Sequence, residues 1–185
     1  ARPKLVYLSS LAAGGPSYDG VPVSAEGQPR PISDYGRTKL AGENIIRERL
    51  DGTGLPWVIL RPPPVYGPRD KDMLDLFKAA RWGVVPAPPR GSTSVIHADD
   101  LVRLLLALVP GGEDVTHRVF EPDDGKRGGW SHYELARAIG WAVGRRRGGG
   151  GLREDGQPRF GGVRRVAIDD RHVITGRQLR PRPLQ

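Results

Sequence analysis

The sequence contains no cysteine, and among its 185 residues it has only one methionine and three phenylalanines. The absence of cysteine excludes a disulfide framework, a thiolate metal site and a cysteine nucleophile. The sequence also lacks any apolar run approaching eighteen residues, so no segment of it is predicted to span a membrane. The length suits a single domain that is large enough to bury a core.

Glycine and proline, in contrast, are abundant, with 26 and 18 residues, and the formal net charge is +8. An excess of positive charge suggests nucleic acid as a partner. Nearly all of the excess lies in residues 145–185, which hold 11 arginines and 4 acidic residues. This Arg/Gly-rich tail is predicted to be poorly ordered or irregular. Nucleic-acid binding through it is disfavoured, because Phe160 is its only aromatic residue for base stacking.

Residues 1–144 alternate short apolar runs with amphipathic segments. The apolar runs predict buried parallel strands, over residues 4–10, 57–60, 94–97 and 119–120. The amphipathic segments predict helices, over residues 35–50, 72–82, 101–109 and 131–143. Candidate N-caps precede three of these helices: Ser33 or Asp34, Asp99 or Asp100, and Ser131 with Glu134 in capping-box spacing. Strand–helix alternation of this kind indicates an α/β fold with a parallel sheet and flanking helices.

The sharpest motif is the segment from Tyr35 to Lys39, YGRTK. In the first turns of a helix these two residues stand at positions i and i+4 and share one face. An ammonium group near a phenol favours the phenolate, which makes the tyrosine usable as a general acid/base. The spacing alone is weak evidence, because tyrosine and lysine also pair by chance on surface helices.

Four sequence blocks occur in order along the chain: LVYLSS (5–10), DYGRTKLAGE (34–43), VILRPPPVYGPR (58–69) and VIHADDL (95–101). Through these blocks the sequence resembles the extended short-chain dehydrogenase/reductase superfamily, and within it the NAD-dependent epimerase/dehydratase family. The resemblance runs from residue 4 to about 109, and more faintly to 144. It implies a Rossmann-like, doubly wound parallel sheet.

The resemblance assigns a catalytic set of Tyr35, Lys39 and Ser10. Tyr35 matches the proton-transferring tyrosine, and Lys39 matches the lysine that hydrogen-bonds the nicotinamide ribose, so both are also expected at the cofactor. Ser10 matches the hydroxyl that orients the substrate oxygen. Ser9 is the adjacent alternative and is expected on the substrate side.

The proline-rich segment is expected to line the nicotinamide pocket. Pro62, Pro63 and Val65 match positions that contact the cofactor in relatives through apolar or backbone groups. Pro64 stands where relatives often carry an asparagine that contacts the substrate. No side-chain amide can therefore be assigned there.

Arg61 is interpreted as a brace for this loop rather than a substrate contact. Arg69 is a candidate for binding an anionic group such as a nucleotide-sugar phosphate, with a solvated loop arginine as an equal alternative. His97, Asp99 and Asp100 would satisfy a metal-ligand inventory. Helix capping by an aspartate explains this spacing better, and no metal site is predicted.

A glycine-rich turn for the dinucleotide pyrophosphate precedes the serine strand by roughly a hundred residues in relatives. Neither Gly14-Gly15 nor the run 148–151 matches that turn. The resemblance thus implies an N-terminally truncated member that lacks the first half of the sheet. Residues 1–144 would hold the C-terminal portion of a Rossmann-like NAD(P)-binding domain with part of the substrate-binding region. We expect the isolated chain to bind NAD or NADP weakly and to be inactive.

The expected function is NAD(P)-dependent epimerase, dehydratase or reductase chemistry, in the cytoplasm, on a nucleotide sugar or a related hydroxyl or carbonyl substrate. The alternative is a non-catalytic fragment or interaction module of the same fold. The resemblance also implies a homodimer with helix 35–50 at its interface. Neither the substrate nor the choice between NAD and NADP follows from the sequence.

Overall fold

A computed structural model describes residues 3–18, 25, 27–82, 85, 91–144, 168–169 and 172–173. The centre of the fold is a three-stranded parallel sheet. Its strands are β1 (Leu5–Leu8), β2 (Trp57–Leu60) and β6 (Arg118–Phe120), in the order β1–β2–β6. The register pairs Leu5 with Trp57 and Val58 with Arg118. Strand β2 is central and buried along its whole length, as expected for a parallel strand covered on both faces. The predicted α/β fold with a parallel sheet is confirmed.

Five helices flank the sheet in the described ranges: α1 (Leu11–Gly14), α2 (Asp34–Leu50), α3 (Asp72–Arg81), α4 (Ala98–Leu108) and α5 (His132–Ala142). Four of them match the predicted helices to within a few residues. The short α1 lies in a segment with no predicted element. It forms because Ser10 Oγ accepts the Ala12 amide at 3.2 Å, which satisfies an N–H group of the first turn.

Helices α2 and α5 begin with serine caps. Ser33 Oγ accepts the Gly36 amide at 3.1 Å, so Ser33 and not Asp34 is the N-cap of α2. At α5, Ser131 and Glu134 form the predicted capping box, in which each side chain accepts the backbone N–H of the other residue.

The cap of α4 differs from the prediction. His97 is the N-cap, and its Nδ1 atom accepts the Asp99 amide at 3.2 Å. The prediction that Asp99 or Asp100 caps this helix is therefore wrong. Because the helix begins at Ala98, both aspartates fall within its first turn, where their charge favours the positive end of the helix dipole.

The main core lies between α4 and the sheet. Its buried members are apolar, and their burial removes them from water: Val58, Leu60, Ile96, Leu101, Leu104, Leu108 and Val115.

Short pairings extend the fold beyond the main sheet. Strand β3 (Val65–Tyr66) pairs in parallel with β5 (Ile96–His97). Strand β4 (Ser92–Thr93) pairs in antiparallel with β7 (Trp130–Ser131). Strand β5 is shorter than the predicted 94–97, and β3, β4 and β7 are not predicted. Of these strands, β3 matters most for function, because it directly follows the proline-rich segment at the carboxyl end of β2.

The predicted disorder of residues 145–185 falls outside the described residues, apart from one antiparallel pairing of β8 (Ile168–Asp169) with β9 (His172–Val173). Within the described ranges, no helix combines the length and the apolar character needed to cross a membrane.

Candidate active site

The carboxyl ends of β1 and β2 and the first turn of α2 line a cleft of about 420 Å³, here called the Tyr35 cleft. Such strand ends are where ligands bind in open α/β sheets. The cleft is lined by residues 9–12, Tyr35 and residues 62–65. It brings together the predicted site residues except Lys39 and Arg69.

Ser10 and Tyr35 reach this cleft from different elements. Ser10 ends the β1 segment and caps α1, and its hydroxyl proton is still able to donate, because the cap uses the oxygen as an acceptor. Tyr35 lies in the first turn of α2, and the residue is 57% exposed. The phenol therefore lies at the protein surface beside the cleft and outside the core.

Lys39 stands one turn after Tyr35, as its spacing predicts. Its Nζ atom lies 5.7 Å from the centroid of the Tyr35 ring and 5.6 Å from that of Tyr7. The same atom donates a hydrogen bond to the Leu8 carbonyl at 3.0 Å. The lysine thus ties α2 to the end of β1 and holds a cation beside the phenol. Its contact with a nicotinamide ribose stays a prediction.

A buried ionic cluster, here called the Glu43 network, consists of Ser9, Glu43, Arg61 and Glu121, and the partly exposed Arg47 lies beside it with its Nη2 atom 3.5 Å from Glu43 Oε2. Arg61 donates through Nε and Nη2 to the two Glu43 carboxylate oxygens at 2.8 and 2.7 Å, and through Nη1 to Glu121 at 3.1 Å. Ser9 Oγ donates to Glu43 Oε1 at 2.5 Å. Arg61 is only 1% exposed, and its side chain binds Glu43 of α2 and Glu121 after β6, so it is not available to a substrate; its role as a brace for the proline-rich loop stays a prediction.

The electrostatics of Arg61 follow from this arrangement. Burial by itself lowers the pKa of the guanidinium, but the hydrogen bonds and charges of Glu43 and Glu121 outweigh burial and raise the pKa above its ordinary value. The guanidinium of Arg61 therefore stays protonated, and its two contacts with Glu43 have the bidentate geometry that arginine and carboxylate favour.

Glu43 and Glu121 are not predicted as site-related residues from the sequence. The available signal for Glu43 is its position, because Tyr35, Lys39 and Glu43 recur at intervals of four and share one face of α2. Ser9 is 4% exposed and its hydroxyl proton is engaged by Glu43. Of the two adjacent serines, Ser10 is thus the better candidate for orienting a substrate oxygen.

Arg69 lies in a second cleft, of about 690 Å³, called the Tyr66 cleft. Its backbone φ of 73° is in the left-handed region, which is uncommon for a residue other than glycine. Arg69 thus lines a different cleft from Ser10 and Tyr35. Lys71 adds a second cation, while apolar side chains supply much of the lining: Met73, Leu74 and Phe77.

Tyr66 is the tyrosine that lines the second cleft. Its ring packs edge-to-face on His97 with centroids 5.1 Å apart. Burial raises the pKa of Tyr66, and the nearby carboxylates of Asp124 and Asp100 raise it further. The Tyr66 phenol therefore keeps its proton at neutral pH, which makes it an unsuitable general base.

The sequence model of the NAD dependent epimerase/dehydratase family matches residues 1–120. The chain belongs to this family. The resemblance stated from the sequence is thereby confirmed.

One relative of this chain is the ceramide reductase of Caulobacter vibrioides. The two are 32% identical over 146 residues, which cover 78% of this chain and 39% of the reductase. Among solved structures, the UDP-glucose 4-epimerase of Thermus thermophilus with NAD is 23% identical, with a TM-score of 0.65, and the match covers 77% of this chain and 49% of that one. RMD from Pseudomonas aeruginosa with NADPH is 21% identical, with a TM-score of 0.61 and coverages of 76% and 51%. The chain therefore spans about half the length of these two structures. At these identities they establish the fold, which is the predicted partial Rossmann-like one.

The residues present fit the nicotinamide end of the family's cofactor. Tyr35, Ser10 and the proline-rich segment face one cleft of about 420 Å³. No strand followed by a glycine-rich turn and a long helix, as a pyrophosphate site requires, occurs in the part of the chain that the structure describes.

Proposed function

We propose that the chain supplies the proton-transfer and substrate-side part of an NAD(P)-dependent oxidoreductase or epimerase that acts on a hydroxyl or carbonyl group. The observation that carries the proposal is the convergence of Ser10 and Tyr35 on one cleft. Lys39, beside the Tyr35 ring, adds the cation that this chemistry needs.

In the proposed reaction, the Ser10 hydroxyl donates a hydrogen bond to the substrate oxygen and orients it. As the phenolate, Tyr35 takes a proton from a substrate hydroxyl and becomes the neutral phenol; in reverse, the phenol returns the proton to a carbonyl oxygen and becomes the phenolate. Lys39 stabilises the phenolate form in both directions, and the Leu8 carbonyl keeps its ammonium group in place. A bound nicotinamide supplies the hydride acceptor or donor.

The proposed cofactor, NAD or NADP, would be held at its nicotinamide end by this chain. Pro62, Pro63 and Val65 line the cleft and offer apolar surface and backbone carbonyls. Lys39 and Tyr35 are proposed to bind the ribose.

The proposed substrate is a nucleotide sugar. Arg69 and Lys71 give the Tyr66 cleft two cations that suit a diphosphate, against the one carboxylate of Asp70 in the same lining. A second candidate is the ketone of a long-chain lipid, which is favoured by the similarity to the ceramide reductase of Caulobacter vibrioides. Met73, Leu74 and Phe77 give the same cleft an apolar lining that suits an acyl chain.

Turnover tests the proposal, followed by nicotinamide absorbance for net oxidation or reduction and by separation of the product sugars for epimerisation, which leaves the nicotinamide unchanged overall. Two preparations are used, the 185-residue chain and the same chain joined to the N-terminal half of a family member. Each receives NAD or NADP with a UDP-sugar or a long-chain keto-amide. We expect the joined protein to turn over one substrate class and the shorter chain to show weak cofactor binding.

The decisive variant is Tyr35→Phe, which removes only the phenolic oxygen. We expect it to lower turnover by about 100-fold or more. Tyr133→Phe is the matched control, because Tyr133 lies exposed on α5 and should leave turnover unchanged. Equal turnover by Tyr35→Phe and the unmodified protein would remove the catalytic assignment. A joined protein that binds no nicotinamide cofactor would favour the alternative, a non-catalytic interaction module.

A further inference from the structure

The Glu43 network includes Ser9, which directly precedes Ser10, the serine proposed to bind the substrate oxygen. Ser9 donates its side chain to Glu43 at 2.5 Å and its backbone N–H to the Leu60 carbonyl at 2.7 Å. The next residue is Ser10, which opens α1. Because adjacent residues share a rigid planar peptide unit, an anchor on Ser9 restricts where Ser10 can stand.

The network also includes Glu43, which lies on α2, the helix that carries the proposed base Tyr35. Glu43 occupies the same face of α2 as Tyr35 and Lys39, two turns after Tyr35 and one turn after Lys39. Glu43 is fully buried and accepts two parallel hydrogen bonds from Arg61, which directly follows β2. Those bonds fix the rotation and height of α2 against the sheet.

We propose that Glu43 is the positioning residue of this site. Through Ser9 it sets the place of Ser10, and through Arg61 it sets the place of α2. The distance between the Ser10 hydroxyl and the Tyr35 phenol is thereby fixed. The proposal rests on the proposed function only in that these two groups act on the substrate, and Glu43 itself touches neither.

The chemistry of the network favours positioning over simple stabilisation. A fully buried ion pair costs desolvation energy, and well-packed apolar side chains of similar volume often stabilise a fold as well or better. Hydrogen bonds, however, fix direction as well as distance, which apolar packing does not. A bidentate contact where α2, β1 and β2 meet can therefore hold the Ser10 hydroxyl and the Tyr35 phenol at a fixed distance from each other.

Hydrogen exchange in the 185-residue chain tests the proposal without relying on activity. The reporters are the amides of Leu11 and Ala13, which donate to the Pro62 and Ser10 carbonyls at 3.0 and 2.9 Å and hold α1. Glu43→Gln places an amide N–H₂ against the Arg61 guanidinium. We expect it to speed exchange at both reporters by about tenfold relative to the amides of β6.

Lys4→Met is the matched control for loss of stability. Lys4 Nζ donates to the Leu108 carbonyl at 3.1 Å, near the opposite end of β1. Its loss should lower the thermal midpoint while exchange at Leu11 and Ala13 changes by less than about twofold relative to β6. A uniform acceleration in Glu43→Gln, or none at the reporters, would overturn the proposal.

Ser9→Ala keeps the test decisive if Glu43→Gln does not fold. It removes the serine link and leaves Glu43 paired with Arg61, so the fold should survive. Exchange at Leu11 and Ala13 should rise in this variant as well. Exchange equal to that of the unmodified chain would show that the network does not hold α1 and would overturn the proposal.

Kinetics of the joined protein separate this proposal from the proposed function. We expect Glu43→Gln to lower kcat by about 100-fold, as for a misplaced reacting group, and to raise the KM for the nicotinamide nucleotide by a smaller factor, because α2 also carries the proposed ribose contacts. A lower thermal midpoint with unchanged kcat would overturn the positioning role. No turnover by the unmodified protein, together with localised exchange, would refute the proposed function and support the placement of Ser10 by Glu43.

Discussion

The Nζ atom of Lys39 lies 5.7 Å from the centroid of the Tyr35 ring and donates a hydrogen bond to the Leu8 carbonyl at 3.0 Å. The cation beside the phenol is thus anchored to the end of β1, in addition to its place on α2. An anchored ammonium loses less conformational freedom when it stabilises a nearby negative charge than a mobile one does. This relationship makes Lys39 more than a chance neighbour on a helix surface.

The first prediction concerns that anchor. Lys39→Met keeps a side chain of similar length but removes both the charge and the bond to Leu8, so we expect turnover by the joined protein to fall by about 100-fold. Steady-state kinetics at pH 7 measure the change. Arg37→Met, on the same helix, is the control; a loss equal to that of Lys39→Met would refute the specific role.

The long elements of this fold could be predicted from the sequence because their hydrophobic patterns repeat. Strand 57–60 and the helix that ends at residue 50 lie where the pattern places them. The two-residue strands β3, β4 and β7 contain too few positions to show a period. Helix α1 depends on a single cap by Ser10 and on packing against α2, neither of which a local pattern reveals.

The site could be predicted only in part for a related reason. Tyr35 and Lys39 are four residues apart, so helical geometry alone brings them together. Glu43 and Arg61 are 18 residues apart, and they meet only when α2 packs against β2. The role of Glu43 is therefore visible in the folded chain and not in the motif.

A second prediction tests the close approach of α1 and α2. A Cβ atom at Gly36 would lie 2.3 Å from the Ala12 carbonyl oxygen, a backbone atom that cannot move without shifting α1. We expect Gly36→Ala to lower the free energy of unfolding by about 1–3 kcal/mol through overpacking. Denaturant titration measures the change.

The control for Gly36→Ala is the same substitution at Gly140, within α5. There a Cβ atom meets nothing within 4 Å, so the higher helix propensity of alanine should stabilise the protein by about 0.5–1 kcal/mol. Opposite signs at the two glycines are the expected result. A stabilising effect at Gly36 would contradict the close packing of α1 on α2.

A third prediction concerns the proposed homodimer through α2. Ile45 is 57% exposed, and it lies on the side of α2 away from the face shared by Tyr35 and Glu43. If two copies pair through this side, Ile45→Asp should convert a dimer to a monomer, because it places a charge in an apolar contact. Light scattering after size-exclusion chromatography measures the mass. Leu106→Asp, at an exposed apolar position on α4, should leave the dimer intact; a monomeric unmodified protein would refute this interface.

The last prediction concerns pH and the N-terminus of α5. Glu134 accepts hydrogen bonds from Lys126 at 2.9 Å and from the backbone and side chain of Ser131 at 3.0 and 2.9 Å. The Lys126 hydrogen bond, followed by those of Ser131, lowers the pKa of Glu134 from 4.5 to about 2. A carboxylate whose pKa is lower in the folded state stabilises the fold above its unfolded pKa, and the stabilisation is lost as the pH falls toward the folded value.

The unmodified chain should therefore have a higher thermal midpoint than Glu134→Gln at pH 6. That advantage should shrink as the pH falls through the window between the two pKa values, about 4.5 and about 2. Glutamine can still form the capping box, so the difference isolates the charge. Because the carboxylate is half exposed, molar salt should also narrow the difference at pH 6. A difference that stays constant from pH 6 down to about pH 2 would show that the carboxylate contributes by shape alone, and would rule out its coupling to Lys126.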